Sequence, residues 1–400
     1  MKNVLFLFIP LLLVSCNKTA KITVTNPLAV ERNNEIVEFP LLPVKEKLGL
    51  QGDGQFIILD PAGFQVPYQI LSDGETVIFQ ATVSGNSSAK YTVQAGTPEN
   101  FAPRTFARQV PERLDDFAWE NDRIAFRMYG PALKASGQNP SNGVDMWLKR
   151  TEDLIIDKWY KNDLAGIASY HVDNGEGLDC YKVARTLGVG GVAPFVDSIL
   201  WVGGHYSRYE IKESGALRTE FTLYYDEFPI GTADEKCAPT PKQTVQAILT
   251  IRLDAGNQLN KASVVYQGEN VDRMPVATGL YLHKFQNIND LDIPNTERRT
   301  LKTNNMMAMA ADAIADDKTP SGRAFMGVIV PTDVEIKENE GVCIPGAHLL
   351  AVGTHNAGQP FVYYFGGGWS KFGFETDEDW FEYMESSQAK IQQALQVSVR

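Results

Sequence analysis

The sequence predicts a mainly β protein built from two antiparallel sandwiches and closed by a C-terminal helix. Short β-rich runs separated by turn-forming residues recur along most of the chain. A stretch with two prolines and little periodicity, residues 98–105, interrupts these runs and is typical of a linker. With 400 residues, of which 44% are apolar and 22% charged, the chain has the composition of a core-forming protein and not of a disordered one.

The N-terminus has the features of a bacterial lipoprotein signal. Lys2 precedes an apolar run over residues 4–14, which is short of the roughly 20 residues that a membrane-spanning helix needs. The run ends in Ser15 and Cys16, and this ending resembles the lipobox, whose cysteine becomes the lipidated first residue. We expect residues 1–15 to be a signal peptide and Cys16 to anchor the protein at the periplasmic face of the outer membrane. The alternative is an ordinary cleaved signal.

The next predicted unit is a small β-sandwich over residues 17–97. Its strand-like runs lie at residues 21–25, 55–59, 76–80 and 90–94. Turn formers such as those of residues 72–74 and 84–87 separate the runs, as expected for antiparallel strands.

A larger sandwich is predicted over residues 106–400. Its strand-like runs lie at residues 123–129, 207–212, 217–225, 244–253, 275–282, 323–330 and 360–365. Residues 306–313 fit a helix or a buried strand equally well, because their Met/Ala run has no decisive period. The closing helix has Thr376 as its N-cap and acidic residues in its first turn. Its predicted apolar stripe consists of Trp380, Met384, Ile391 and Leu395.

Composition and motifs exclude several functional classes. The formal charge is 37 − 49 = −12, so no general positive field is present to hold nucleic acid. Walker, HExxH and GxSxG motifs are absent, and we expect no cofactor. Beyond Cys16, the three cysteines Cys180, Cys237 and Cys343 are widely separated without CxxC spacing. They predict no metal site and at most one disulfide.

The first candidate site segment runs from residue 115 to 129. An extended strand from Arg123 places Arg123 and Arg127 on one face. Paired guanidinium groups beside Trp119 can hold a carboxylated or sulfated sugar, because Arg binds planar oxyanions and an indole stacks on a pyranose ring. The alternative is a salt-bridged strand in which Glu120 and Asp122 neutralise the arginines.

The second candidate segment, residues 170–182, combines an imidazole, carboxylates and a lysine around two glycines. Such side chains on a loop can supply base, acid and cation for catalysis. The alternative is a hairpin whose polar groups only satisfy turn amides. Further candidates for the site are His205, His283 and Trp369, the last of which follows a run of three glycines.

Residues 116–127 and 175–182 resemble segments of an uncharacterised-domain family of Bacteroidota lipoproteins from polysaccharide utilisation loci. That family is similar in architecture to galactose-mutarotase-like supersandwiches, and one member type from ulvan-degrading loci resembles an oligosaccharide dehydratase. The resemblance implies removal of water from the non-reducing-end uronate of an ulvan-type oligosaccharide, with or without sulfate groups, to leave a 4,5-unsaturated uronate.

This β-elimination defines the residue roles that we expect. The C5 hydrogen becomes acidic only when the neighbouring carboxylate is neutralised, for which Arg123, Arg127 or Lys182 can serve. His171 is the predicted base or acid, with Tyr181 or His283 as its partner. The remaining predicted substrate contacts are Trp119, Glu120, Asn121, Asp179, His205 and Trp369. Three other readings stay open: a polysaccharide lyase, a non-catalytic glycan-binding lipoprotein and a mutarotase-like epimerase.

Overall fold

The structure is a computed structural model that describes residues 18–136, 143–234, 237–269, 271–283, 298–341, 343–344 and 346–400, apart from the side chains of residues 241 and 242. The predicted signal peptide and Cys16 lie outside these residues. Within the described ranges, no helix is both long and apolar enough to cross a bilayer.

The chain forms two compact units. The first comprises the described residues up to Asn33 together with Val37–Asn100 and Gln396–Arg400, and the second comprises Asn34–Ile36 and Phe101–Leu395. The elements up to residue 100 are β1 (Thr19–Asn26), β2 (Arg32–Pro40), α1 (Leu41–Leu48), β3 (Phe56–Leu59), β4 (Tyr68–Ile70), β5 (Thr76–Val83) and β6 (Ser87–Ala95).

The first unit is an antiparallel β structure whose strands alternate between core and solvent. On β1, Ala20, Ile22 and Val24 are fully buried, while the residues between them are partly or fully exposed. This alternation follows from the period of two in an extended strand. β1 pairs with β6, β6 pairs with β3, and β5 pairs with β2 and β4 in a separate three-stranded sheet.

The second unit contains the remaining elements. Up to residue 200 these are β7 (Thr105–Val110), a 3₁₀ turn (Pro111–Arg113), β8 (Asp116–Asn121), β9 (Ile124–Met128), α2 (Ala132–Ala135), β10 (Asp145–Lys149), α3 (Ile156–Leu164), β11 (Gly177–Leu178), β12 (Val189–Val196) and β13 (Ile199–Leu200). They continue with β14 (Tyr206–Ser214), β15 (Arg218–Tyr225), β16 (Phe228–Ala233), β17 (Pro239–Asp254), β18 (Leu259–Gly268), β19 (Arg273–Leu282), β20 (Arg299–Lys302), β21 (Met306–Ile314), β22 (Pro320–Ile329), β23 (Glu335–Glu340), β24 (Ala347–Asn356), β25 (Phe361–Trp369) and α4 (Asp377–Gln392).

Three sheets make up this unit. A nine-stranded sheet runs β14-β15-β17-β18-β25-β22-β21-β20, with β16 also paired to β17. One five-stranded sheet runs β13-β12-β19-β24-β23, and the other, which carries the candidate site, runs β11-β10-β9-β8-β7. Their inner faces share one core that includes Phe126, Phe221 and Phe365. The predicted mainly β class with a C-terminal helix is confirmed.

The ambiguous segment 306–313 is a buried strand, β21. Met307 and Met309 contribute to the core between the sheets, whereas Met306, Ala308 and Ala310 pack beneath α4. Because both faces of β21 are buried, its sequence lacks the polar alternation that identifies a half-exposed strand.

Helix α4 begins as predicted, with a capping box between Thr376 and Asp379. Trp380 and Met384 are fully buried against the nine-stranded sheet. The predicted stripe is too long, since the helix ends at Gln392 and Leu395 lies beyond it.

The last strand, β26 (Gln396–Val399), belongs to the first unit, although the sequence assigned residues 106–400 to the larger domain. β26 pairs with the free edge of β1, with Val397 opposite Val24. A four-residue strand is too short to indicate its partner sheet from its pattern.

Cys237 and Cys343 form a disulfide, with their Cα atoms 5.4 Å apart, and Cys180 is a free, partly buried thiol. One bridge is the most that the sequence predicted. Disulfides persist in oxidising compartments.

Candidate active site

The two predicted site segments meet on the five-stranded sheet that begins with β11. Arg127 on β9 is only 2% exposed, and its Nη2 donates to Oδ2 of Asp145 at 2.6 Å and to Oδ2 of Asp179 at 2.9 Å. Its Nη1 lies 3.6 Å from Oδ2 of Asp116. We call Asp116, Arg127, Asp145 and Asp179 the Arg127 cluster.

Aromatic rings enclose the guanidinium group. The rings of Tyr129, Trp147 and Tyr170 have their centroids 4.7, 5.2 and 5.6 Å from Cζ of Arg127. The hydroxyls of Tyr129 and Tyr170 each accept a hydrogen bond from the guanidinium at 3.2 Å. Cation–π contacts and charge-assisted hydrogen bonds therefore both stabilise the buried cation.

The Arg127 cluster holds three carboxyl groups against one guanidinium. Burial, reinforced by the charge of Asp179, raises the pKa of Asp145 to about 7, and burial raises the pKa of Asp179 to about 6. Oδ1 of Asp145 is buried without a hydrogen-bond partner among the described residues. These two carboxyl groups therefore bind protons at pH values where an exposed aspartate is fully ionised.

Asp145 gives stability a defined pH dependence. Because its folded pKa lies above the ordinary value, its contribution favours folding most below pH 4 and is lost as the pH rises through about 7. We expect wild type to lose roughly 1–3 kcal/mol relative to Asp145→Asn between pH 5 and pH 8. Denaturant unfolding of both proteins at several pH values measures this difference. The exposed Asp157→Asn is the control, and a pH-independent difference for Asp145→Asn would contradict the assignment.

His171 lies at the open side of the cluster, with its side chain 30% exposed. Its Nδ1 is 3.0 Å from the main-chain oxygen of Asp179 and 3.4 Å from Oδ2 of the same residue. The ring also packs on Tyr170, with a centroid distance of 4.5 Å. Burial lowers the pKa of His171, so the imidazole is neutral at pH 7.

Tyr181, two residues after Asp179 in the chain, contacts His283. Nε2 of His283 is 2.6 Å from the main-chain oxygen of Lys182, and the rings of Tyr181 and His283 meet edge to face at 4.7 Å. Burial raises the pKa of Tyr181 well above its ordinary value and lowers the pKa of His283 to about 4. The Tyr181 hydroxyl makes no well-formed hydrogen bond to a described residue. Tyr181 is therefore protonated and His283 neutral at pH 7.

Lys182 is the accessible cation beside these groups. Its ammonium pairs with Asp316, and the two side chains are 41% and 42% exposed. The main-chain N–H of Asp316 donates to the carbonyl of His171 at 3.3 Å, so this ion pair lies next to the histidine. An exposed pair of this kind contributes little stability, about 0–1 kcal/mol, and its lysine can exchange partners.

The two tryptophans predicted to stack on sugar are core residues. Trp119 is fully buried and donates from Nε1 to Asn260. Trp369 is 1% exposed and donates to the carbonyl of Ser321 at 2.6 Å. The glycines before Trp369 serve close packing, because a Cβ at Gly367 would lie 2.2 Å from Sδ of Met146. Neither indole is exposed to solvent.

Glu120 and Asn121 are also buried, so they do not orient sugar hydroxyls. The Glu120 carboxylate binds Lys149 at 2.8 Å and accepts from the first N–H groups of α3, at Ile155 and Ile156. The Asn121 amide donates to two carbonyls of the turn after β17. Both side chains hold neighbouring elements on the sheet.

The arginines of the first segment have separate partners. Arg123 pairs with Glu152 at 3.1 Å on the surface, while Arg127 is enclosed in its cluster. The alternative, in which Glu120 and Asp122 neutralise these arginines, does not hold for those two acids, because Glu120 binds Lys149 and Asp122 binds Arg104. Arg127 has no face open to a substrate, and its carboxylate-binding capacity is used by the aspartates.

His205 lies directly before β14 and is partly buried. Its assignment as a substrate contact stays a prediction. Asp179, predicted to orient the substrate, is instead 2% exposed and lies between Arg127 and His171.

Sequence reasoning missed Asp116 and Asp145, which complete the cluster, and Asp316, which pairs with Lys182. A signal for Asp145 exists in the sequence: it is a single acid within the apolar run of residues 144–148. A buried charged residue requires a partner, which points to a cation on a neighbouring strand.

The fold and the site together define the class of this protein. It is a mainly β protein of two units, in which a buried arginine–aspartate cluster lies beside a histidine. The chain belongs to the family described as "Domain of unknown function (DUF4861)", whose model matches residues 24–397. The predicted resemblance to an uncharacterised-domain family is thereby confirmed. Over its full length the chain is 28% identical to the "Uncharacterized protein P7" of Formosa agariphila, which it also covers completely.

Two solved structures are similar to the chain. One is an α-mannosidase from Enterococcus faecalis V583, with a TM-score of 0.48 and 8% identity over 96% of this chain and 46% of that one. The other is a glycosyl hydrolase family 38 protein from Enterococcus faecalis, with a TM-score of 0.46 and 10% identity over 96% of this chain and 47% of that one. The chain thus spans less than half the length of these proteins.

Proposed function

We propose that this protein is a dehydratase that removes water from the non-reducing-end uronate of an ulvan-type oligosaccharide, leaving a 4,5-unsaturated uronate. The observation that carries the proposal is that three ionisable side chains belong to residues 179–182 or contact them. A neutral histidine, a protonated tyrosine and an exchangeable lysine lie along this segment. β-Elimination next to a carboxylate needs a base, an acid and a cation.

His171 is the base in this proposal. Its side chain is 30% exposed, and its lowered pKa keeps a lone pair free to accept a proton at pH 7. His283 is poorly suited to donate a proton, because its pKa of about 4 leaves it neutral. We assign His283 to positioning the Tyr181 ring, which it contacts edge to face.

Tyr181 is the acid. Its hydroxyl keeps its proton at neutral pH and makes no well-formed hydrogen bond among the described residues. The side chain is 7% exposed, so a departing oxygen reaches this proton only when the substrate displaces residues that cover it. Lys182, the next residue, binds the substrate carboxylate in place of Asp316. Of the three cations predicted for this role, Arg123, Arg127 and Lys182, we therefore select Lys182.

In the proposed elimination, His171 accepts one proton from the substrate and Tyr181 donates another to it. Nε2 of His171 takes the C5 proton, and the electron pair of that C–H bond forms the C4=C5 double bond. The C4–O4 bond breaks, O4 takes the Tyr181 proton, and water leaves. His171 then returns its proton to solvent and the tyrosinate is reprotonated, which restores the starting protein.

Arg150 and Lys371 are further candidates for anionic groups on the oligosaccharide. Both bind Asp173, at 3.2 and 3.5 Å, and each side chain is 37% exposed. Two cations on one carboxylate leave a net positive charge two residues from His171.

The glycan-binding alternative has less support, because Trp119 and Trp369 are buried. A polysaccharide lyase uses the same three groups and differs in its leaving group, which is a sugar alkoxide in place of hydroxide.

The disulfide supports an oxidising compartment, in agreement with the proposed lipid anchor at Cys16 on the periplasmic face of the outer membrane.

The test is incubation of the purified protein with uronate-terminated oligosaccharides from ulvan, followed by mass and ultraviolet absorbance. We expect a product one water lighter than its substrate at constant chain length, with the absorbance of a conjugated enoate. Chain cleavage with the same absorbance would identify a lyase. If neither ulvan nor other uronate glycans give a change in mass or an enoate absorbance, the dehydratase proposal is wrong. A non-catalytic glycan-binding protein or an epimerase then remains.

A further inference from the structure

The Arg127 cluster lies behind His171 and away from solvent, and the reaction outlined above does not use it. We propose that Asp179 is the positioning residue of His171: its main chain makes Nε2 the basic nitrogen, and its carboxylate stabilises the imidazolium that forms during proton transfer. This inference rests on the proposed function for its catalytic consequence. Its structural part concerns which imidazole nitrogen carries the proton and the pKa of the ring, and both can be measured without any substrate.

The first half of the inference follows from the hydrogen bond at Nδ1. The main-chain oxygen of Asp179 lies 3.0 Å from Nδ1 of His171, and a carbonyl oxygen can only accept. The proton of the neutral imidazole is therefore on Nδ1, and Nε2 carries the lone pair. Nε2 makes no hydrogen bond to any residue that the structure describes, so it is the nitrogen free to act on a ligand.

The second half follows from the Asp179 carboxylate. Its Oδ2 is 3.4 Å from Nδ1 of His171 and accepts from Arg127 at 2.9 Å. A carboxylate at this distance favours the charged imidazole, as it does when it orients a catalytic histidine. In the resting protein burial lowers the pKa of His171, so the histidine stays neutral until it receives a proton.

Asp179 is held firmly enough to fix the ring. Its main-chain N–H donates to the carbonyl of Tyr170 at 2.7 Å, and its side chain is bound to the buried Arg127. Tyr170 also packs directly on the imidazole. The position of His171 is therefore fixed through Asp179 to Arg127 on β9, and not by its own loop alone.

Charges from several elements act on His171 besides Asp179. Asp145 on β10, and Asp316 in the turn between β21 and β22, favour its protonation, while Arg127 and Lys182 oppose it. Asp179 differs from these groups because its carboxylate lies within 4 Å of the ring. Replacing it should therefore have the largest effect on the His171 pKa.

The experiment is nitrogen-15 NMR of the imidazole in the full chain, without substrate, for wild type, Asp179→Asn and Asp145→Asn. Assignment of the signal uses His171→Gln. We expect the proton of neutral His171 on Nδ1 in wild type, and a His171 pKa about one unit lower in Asp179→Asn. Asp145→Asn, which also removes a carboxylate from Arg127, should lower the pKa less.

Turnover gives the second readout. In Asp179→Asn we expect kcat to fall about tenfold, corresponding to the one-unit change in basicity, with KM nearly unchanged. A wild-type proton on Nε2 overturns the inference, and this measurement does not depend on whether either variant folds. An unchanged His171 pKa in folded Asp179→Asn overturns the carboxylate's role. If the NMR result is as expected but no uronate substrate is converted, the proposed function fails and the positioning of His171 stands.

Discussion

Arg127→Met is expected to destabilise the protein by about 3–5 kcal/mol, the cost of removing one partner from a buried ion pair. The substitution retains much of the side-chain volume but leaves Asp116, Asp145 and Asp179 in the interior without their shared cation. Each carboxyl group must then bind a proton or remain an uncompensated buried charge. The loss should therefore be larger at pH 8 than at pH 5.5, where protonation relieves part of it.

The matched control is Arg123→Met, four residues earlier. Arg123 makes a surface pair with Glu152, and its side chain is 30% exposed, so its loss should cost no more than about 1 kcal/mol. Denaturant unfolding of both variants at the two pH values measures the difference. Equal losses, or an Arg127→Met loss that does not grow with pH, would show that the cluster is not held by this cation.

Several strands, among them β9, β15 and β17, were predictable from their patterns, whereas others such as β2, β12, β18 and β24 were not predicted. The sequence indicated that Arg127 lies on the face opposite Phe126, and the structure agrees: Phe126 is in the core and Arg127 is in the polar cluster. What covers the second face could not be predicted. Tyr160 on α3 and Tyr170 after it close over this face, and their approach depends on tertiary contacts that no local pattern contains.

The candidate site was predictable in part from its composition. Segment 170–182 stands out because polar and ionisable residues are concentrated around glycines, and His171 and Tyr181 were found in this way. Trp119 and Trp369 were predicted to stack on sugar but are buried, because the sequence alone does not distinguish a tryptophan that binds sugar from one that packs in the core. The partners of Arg127 are spread over residues 116 to 179, so only the folded sheet reveals that they share one cation.

Tyr181→Phe is expected to lower the elimination rate by about 10²–10⁴, the usual contribution of a positioned acid or base. The variant loses only a hydroxyl that has no well-formed hydrogen bond to a described residue, so its stability should be close to that of wild type. Phe retains the ring that packs on His283. The substitution should therefore lower the elimination rate without lowering the free energy of unfolding.

Tyr363→Phe provides the matched control. Its hydroxyl is likewise buried without a partner among the described residues, and both tyrosines belong to the same core. Tyr363 packs on Phe361 and Phe365, whereas Tyr181 packs on His283. Loss of the hydroxyl there should leave the rate unchanged, whereas His171→Ala should lower it at least as far as Tyr181→Phe. The measurement is the initial rate of enoate formation from a uronate-terminated oligosaccharide. Full activity in Tyr181→Phe would assign the acid to another group, and full activity in His171→Ala would remove His171 from catalysis.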